Sequence, residues 1–125
     1  MLAGGLSVKG VRELNLEQGR PSVDRALGWL EAELEAARRM NTPLMKLIHG
    51  YGSSGTGGKI RVEVRKYLGR LTARGEVKGF IPGEEFSIFQ EETRRALLLC
   101  GELRRDRDLD RHNNGVTFVI LSGGR

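Results

Sequence analysis

The residues best suited to chemistry lie in one stretch, Leu47-Ile48-His49-Gly50-Tyr51-Gly52-Ser53-Ser54-Gly55-Thr56-Gly57-Gly58-Lys59, with five glycines between positions 50 and 58. Glycine frees the backbone for positive φ and lets a ligand approach the main chain closely. Where such a loop opens a helix, backbone N–H groups and the positive helix end suit a phosphate. Lys59 at the helix start, with Arg61, Arg65 and Lys66 further along, extends such a site to several phosphates of one strand. His49 adds a ring that can hydrogen-bond a phosphate or move a proton. The candidate binding set is therefore His49, Gly50, Tyr51, Gly52, Gly55, Gly57, Gly58, Lys59, Arg61, Arg65 and Lys66. The competing reading is a turn whose glycines serve only its geometry.

Two nucleotide templates fit poorly. Gly50-Tyr51-Gly52-Ser53-Ser54-Gly55 satisfies G-x-G-x-x-G between a predicted strand and helix. The dinucleotide fold also needs an acidic residue at the end of the next strand, about 20 residues on; basic helix stands there instead. Alignment of Gly58-Lys59 to the phosphate loop of nucleotide hydrolases puts Ser53 at the first glycine and Ile60 at the magnesium hydroxyl. No cofactor is expected.

Charge supports a polyanion partner. Between Lys59 and Arg74 six basic residues face the single acid Glu63, which matches the formal charge of +5 of the whole 125-residue chain. A basic face on one element is the footprint of nucleic acid; a solvated helix face is the alternative. From Glu102 to Arg111 four acids alternate with four arginines. With His112, the acids Asp106, Asp108 and Asp110 invite a metal reading, but alternation with arginine fits a salt-bridged solvent face better. The single cysteine, Cys100, sits in an apolar run and reads as a buried, inert thiol. No apolar run approaches the roughly 20 residues that span a bilayer, so a soluble, cytoplasmic chain without a membrane partner is expected.

The elements that must position these residues follow from periodicity. Val11 to Glu17 reads as a strand, and Pro21-Ser22 opens a helix whose apolar stripe runs from Val23 to Ala37. Leu44 to Ile48 reads as a buried strand, Lys59 to Ala73 as a second helix ended by Gly75, and Val77 to Ile81 as a strand stopped by Pro82-Gly83. A helix is predicted over Glu91 to Cys100 and a final strand over Val116 to Leu121. The order β-α-β-α-β-(α)-β predicts an α/β two-layer sandwich on a mixed four-stranded sheet. Residues 1–10 read as an N-terminal tail and 11–125 as a single domain, with an insertion at about 84–114 packed on it.

Ile48-His49-Gly50-Tyr51-Gly52, with Gly55-Thr56-Gly57, the basic helix and the strand Gly115-Val116-Thr117-Phe118-Val119-Ile120-Leu121, resembles the Smr (small MutS-related) domain. The resemblance spans roughly Val11 to Leu121. It implies a fold similar to the C-terminal domain of bacterial translation initiation factor three, binding of DNA or RNA through the H-G-x-G loop, and in several members nicking or cleavage. A second family motif, L-D-x-H, reads Leu14-Asn15-Leu16-Glu17 here, so a mechanism using its aspartate or histidine does not carry over.

If the first two strands are parallel neighbours, Glu17 and His49 reach the same sheet edge, where ligand sites of open α/β sheets collect. They are the candidate catalytic pair for an endonuclease: the carboxylate would orient His49 or act as base while loop amides and Lys59 stabilise phosphate charge. The other reading leaves Glu17 a plain strand-end residue and His49 a hydrogen-bonding one. Tyr51 can stack an unpaired base or pack in the loop. The function expected is nucleic-acid binding, with RNA, single strands and duplex DNA all open. A protein-interaction module built on the 84–114 segment is the alternative.

Overall fold

The computed structural model describes residues 7–8, 10–50 and 57–121. Its elements run in the order β1 (Ser7–Val8), β2 (Val11–Asn15), α1 (Val23–Arg39), β3 (Leu44–Ile48), α2 (Gly57–Ala73), β4 (Gly79–Pro82), α3 (Glu91–Leu99) and β5 (Val116–Ile120). Short 3-10 turns at Gly83–Glu85 and Gly101–Arg105 flank α3.

The strands form one mixed sheet in the order β1-β2-β3-β5-β4. β2 and β3 are parallel, from Val11 opposite Leu44 to Asn15 opposite Ile48. β5 lies antiparallel between β3 and β4, with Val116 opposite Ile48 and Thr117 opposite Pro82. The four expected strands are therefore joined by a short fifth. Ser7–Val8, in the segment read as a tail, pairs antiparallel with β2 across Gly10, whose φ is +83°.

Local chemistry sets the helix limits. The Ser22 hydroxyl accepts from the Arg25 amide at 3.2 Å and caps α1. At its end Asn41 takes φ 56°, and the amides of Asn41 and Thr42 return to the carbonyls of Arg38 and Ala37. Gly75, at φ 77°, closes α2 the same way through the Thr72 and Leu71 carbonyls. β4 begins two residues later than predicted and includes Pro82. It is an edge strand, so the ladder tolerates a residue without an N–H.

α1 and α2 cover one face of the sheet. Ala26, Leu30, Leu34, Ile60, Val64 and Leu68 pack there on Leu14, Met45, Leu47 and Val119. Each fully buried leucine contributes roughly 1.5–3 kcal/mol. The 83–111 segment covers the opposite face, where Phe86, Leu97 and Leu103 meet Leu44, Ile81 and Phe118. Phe86 stacks on Phe118 with ring centroids 4.1 Å apart, and Cys100 is buried in the same cluster.

The solvent-face reading of the 102–111 run holds for Arg104, Arg105, Arg107 and Arg111, which are exposed, and fails for Asp106 and Asp108. Both turn inward to Lys46 on β3, a lysine only 5% exposed, at 3.0 and 2.7 Å. A buried ammonium needs charged partners, and the two aspartates supply them. Among the described residues no group of His, Cys, Asp and Glu is arranged to hold a metal, and no helix is long and apolar enough to cross a membrane.

Candidate functional site

The C-terminal ends of β2, β3 and β4, the start of β5 and the start of α2 meet along one edge of the sheet. Asn15 Oδ1 accepts from the Glu17 amide at 2.9 Å and turns the chain just beyond β2. The amides of His49 and Gly50 both donate to the Gly115 carbonyl, at 3.0 and 2.9 Å, and fix the chain beyond β3. The parallel pairing brings the chain ends that carry Glu17 and His49 to one edge of the sheet, where the Glu17 side chain lies against Gly50. A β-carbon built on Gly50 would fall on the Glu17 carboxylate, and Gly50 holds φ 76°.

Gly50→Ala therefore meets two obstacles, a left-handed backbone that costs an L-residue about 1–2 kcal/mol and the Glu17 side chain. The substitution is expected to destabilise by about 2–3 kcal/mol in urea denaturation. Adding Glu17→Ala should return the steric part and leave the backbone part.

His49 lies on the α2 face of the sheet and is fully buried. Its Nδ1 lies 2.8 Å from the Gly50 carbonyl and its Nε2 2.8 Å from Thr117 Oγ1. The tautomer that satisfies both carries the proton on Nδ1, donates to Gly50 and accepts from the Thr117 hydroxyl. Thr117 Oγ1 in turn accepts from Arg65 Nε at 3.0 Å. The Arg65 guanidinium forks onto both Glu84 oxygens at 2.9 Å and donates to the Val116 carbonyl at 3.2 Å. The Glu84 carbonyl lies 3.2 Å from Nδ1 of the exposed His112, so the His112 turn folds back to this edge.

Burial, opposed by the Gly50 hydrogen bond and reinforced by the positive charges of Arg65 and Arg61, lowers the His49 pKa from 6.5 to about 4. The ring is neutral near pH 7. Burial alone would raise Glu84, but the Arg65 clamp outweighs it and holds that carboxyl below its ordinary value.

The depressed histidine couples folding to acid. Unfolding restores a pKa near 6.5, so between 6.5 and about 4 the unfolded chain binds the extra proton. The His49 contribution is complete above pH 6.5 and is lost as pH falls toward 4, by at most about 3 kcal/mol. Thermal melts from pH 7 to 4 should show that decline in the parent, and a shallower one in His49→Gln.

The candidate binding residues divide in two. Arg65 points inward, with its side chain 18% exposed. Lys59 is exposed and Arg61 partly buried, and among the described residues neither has a carboxylate partner. Lys66 is exposed and loosely paired with Glu63 at 3.6 Å. Gly57 and Gly58 begin α2; Tyr51, Gly52 and Gly55 lie outside the described residues. Sequence reasoning missed Thr117 and Glu84. For Thr117 a signal existed, since period two along Val116–Ile120 puts this hydroxyl on the same face as Val119. For Glu84 there was none, because its place depends on the β4–β5 register.

No family model matches the chain, and neither does any curated protein. Among solved structures it is similar to the crystal structure of the Smr domain of Thermus thermophilus MutS2, with a TM-score of 0.53 and 24% identity over 88% of this chain and 96% of that one. The chain therefore has the fold of an Smr domain.

Proposed function

We propose that this domain binds nucleic acid by its phosphodiester backbone, along the edge where the chain beyond His49 enters α2. The observation that supports the reading is the hydrogen-bonded chain from Gly50 through His49, Thr117 and Arg65 to Glu84, which ties the end of β3 to α2, the helix that carries Lys59 and Arg61. An Smr-type fold supports it. Tyr51, Gly52 and Gly55 belong to the proposal by sequence alone. On this reading His49 is a brace for Gly50. The endonuclease variant, with His49 and Glu17 as the catalytic pair, requires His49 Nε2 to release the Thr117 hydroxyl before it can take a proton.

The test titrates labelled single-stranded RNA and duplex DNA at two salt concentrations and scores each sample for shift and for cleavage. Lys59→Ala/Arg61→Ala/Lys66→Ala should weaken binding at least tenfold and flatten the salt dependence, since each lost phosphate contact removes about 0.7–0.9 from the logarithmic slope. Absence of any shift at low salt would refute the reading. Cleavage lost in His49→Ala while binding persists would establish the nuclease.

One observation favours a second reading, the protein-interaction module. Phe89 and Leu98 are 83% and 82% exposed. Ile88, Leu97 and Leu98 line an open groove of about 490 Å³ with Arg94 and Arg104. Its occupant would be an acidic segment with apolar anchors, matched to those two arginines. A synthetic acidic amphipathic peptide should bind, and Phe89→Ser/Leu98→Ser should abolish that binding while leaving nucleic-acid affinity unchanged.

A further inference from the structure

The turn from β2 into α1 holds a cavity of about 310 Å³, lined among others by Gln18, Arg20, Pro21, Arg25 and Trp29. That volume is at the small end of ligand pockets, which run roughly 300–1,000 Å³. It suits one nucleotide unit. The cavity wall starts one residue beyond Glu17, whose carboxylate lies against Gly50, so it adjoins the proposed phosphate edge.

Trp29 is the chain's single tryptophan. It is partly buried against the α1–α2 core and contributes to the cavity wall. Periodicity alone makes it a packing residue at the margin of the α1 stripe; the cavity gives it a second side. Arg20 holds φ 49°, directly after Gly19 at 77°, and its amide donates to the Glu17 carbonyl at 3.0 Å. A left-handed arginine persists only where its surroundings impose the conformation. Arg20 and Arg25 are both exposed, and among the described residues neither has an ion-pair partner.

An aromatic wall with two arginines beside it matches a base joined to a phosphate. We propose that this cavity takes one unpaired nucleobase stacked on Trp29, its flanking phosphate held by Arg20 and Arg25, from a strand whose backbone continues to Gly50 and the start of α2. The inference rests on the nucleic-acid reading and narrows its substrate to single-stranded or locally unpaired nucleic acid. A base inside a duplex is stacked and paired, and reaches such a cavity only by leaving the helix. Stacking on an aromatic side chain is tolerant of sequence, so the site distinguishes strandedness rather than base identity.

The single tryptophan makes the test direct. The whole chain is titrated with labelled octauridylate, with labelled oligothymidylate of equal length, with a labelled blunt duplex and with uridine monophosphate. Trp29 emission is read in every titration and label anisotropy for the three labelled oligomers. Both single strands should quench Trp29 with the midpoint of their own anisotropy curves. The duplex should shift anisotropy without quenching, and the mononucleotide should quench only at far higher concentration.

Arg25→Ala, and Arg20→Asn, which tolerates the left-handed backbone, should each weaken single-strand binding by about tenfold. Trp29→Phe should retain more affinity than Trp29→Leu. Anisotropy shifts without quenching, at affinities unchanged in Arg20→Asn and Arg25→Ala, would overturn the cavity and leave backbone binding standing. Quenching by the mononucleotide at the oligomer's midpoint would overturn the strand and make the ligand a free nucleotide. No shift with any nucleic acid would overturn both readings together.

Discussion

Lys46→Ala lowers the stability of the fold by about 3–5 kcal/mol, because it strips a buried pair of carboxylates of its counter-charge. The ammonium lies 3.0 and 3.1 Å from the Asp106 oxygens, 2.7 Å from Asp108 Oδ2, and 5.6 Å from the centroid of Phe118. The partners have other duties. Asp106 Oδ1 also accepts from the Asp108 amide at 2.8 Å, and Asp108 Oδ1 accepts from Asn113 at 2.9 Å. Losing the lysine therefore loosens the 106–113 turn that leads into β5. Lys46→Met/Asp106→Asn/Asp108→Asn should recover more than half of the loss, since it removes the charges together and keeps an acceptor at each aspartate position. Urea denaturation of the three proteins checks the order.

The same cluster has a defined pH window. Burial alone would lower Lys46, but the two aspartates outweigh it and hold the pKa above 10.5. Its contribution is complete below 10.5 and is lost as pH rises through the higher folded value. Burial alone would raise Asp108, but Lys46 and Asn113 outweigh it and hold it below 3.8. Its contribution is complete above 3.8 and is lost as pH falls through the lower folded value. Between those limits the cluster adds no slope. Of the shifted groups, only His49 drives the decline between 6.5 and 4.5; below 4.5 Glu84, held under its ordinary value by Arg65, adds its own loss, and Asp108 enters only in stronger acid.

Lys46 also marks the limit of what the residue pattern carries. Leu44–Ile48 is legible as a buried strand from its apolar run. Which of its members faces which layer is not, because the run is buried on both sides and its one lysine finds partners 60 residues away. α1 and α2 were legible to within about two residues, since stripe and closing residue agree in both and the Ser22 cap agrees in α1. β4 was displaced because Val77 is buried and apolar without being a strand residue.

At the candidate site, the placing of Glu17 and His49 along one edge was legible once β2 and β3 are taken as parallel neighbours, which they are. Thr117 and Glu84 are placed by antiparallel pairings with long connections, and no local pattern announces those. Arg61 and Arg65 each follow a core residue, Ile60 or Val64, by one position, about 100° around the helix. That sets them at the seam between α2 and the sheet, where a basic residue can turn inward. For Arg65 it does.

Arg65→Met is the substitution that separates a brace from a phosphate ligand. A ligand at the surface would cut nucleic-acid affinity, reduce the salt slope by about one contact and leave stability alone. The structure makes Arg65 a brace, with donors spent on Thr117, both Glu84 oxygens and the Val116 carbonyl. Glu84 is 40% exposed at its side chain, so the ion pair itself contributes modestly. The larger loss comes from Thr117 and the Val116 carbonyl, left without their charged donor. Together these should destabilise by about 2–3 kcal/mol. Arg65→Lys should recover little, because an ammonium cannot reproduce the fork. Binding should weaken with an unchanged salt slope, since Lys59, Arg61 and Lys66 remain. Burial, the largest influence on His49, persists in Arg65→Met while a repelling charge disappears. The His49 pKa should therefore rise only part of the way from about 4 toward 6.5, as ring-proton NMR titration would record. An unchanged His49 titration with an altered salt slope would return Arg65 to the phosphate-binding face.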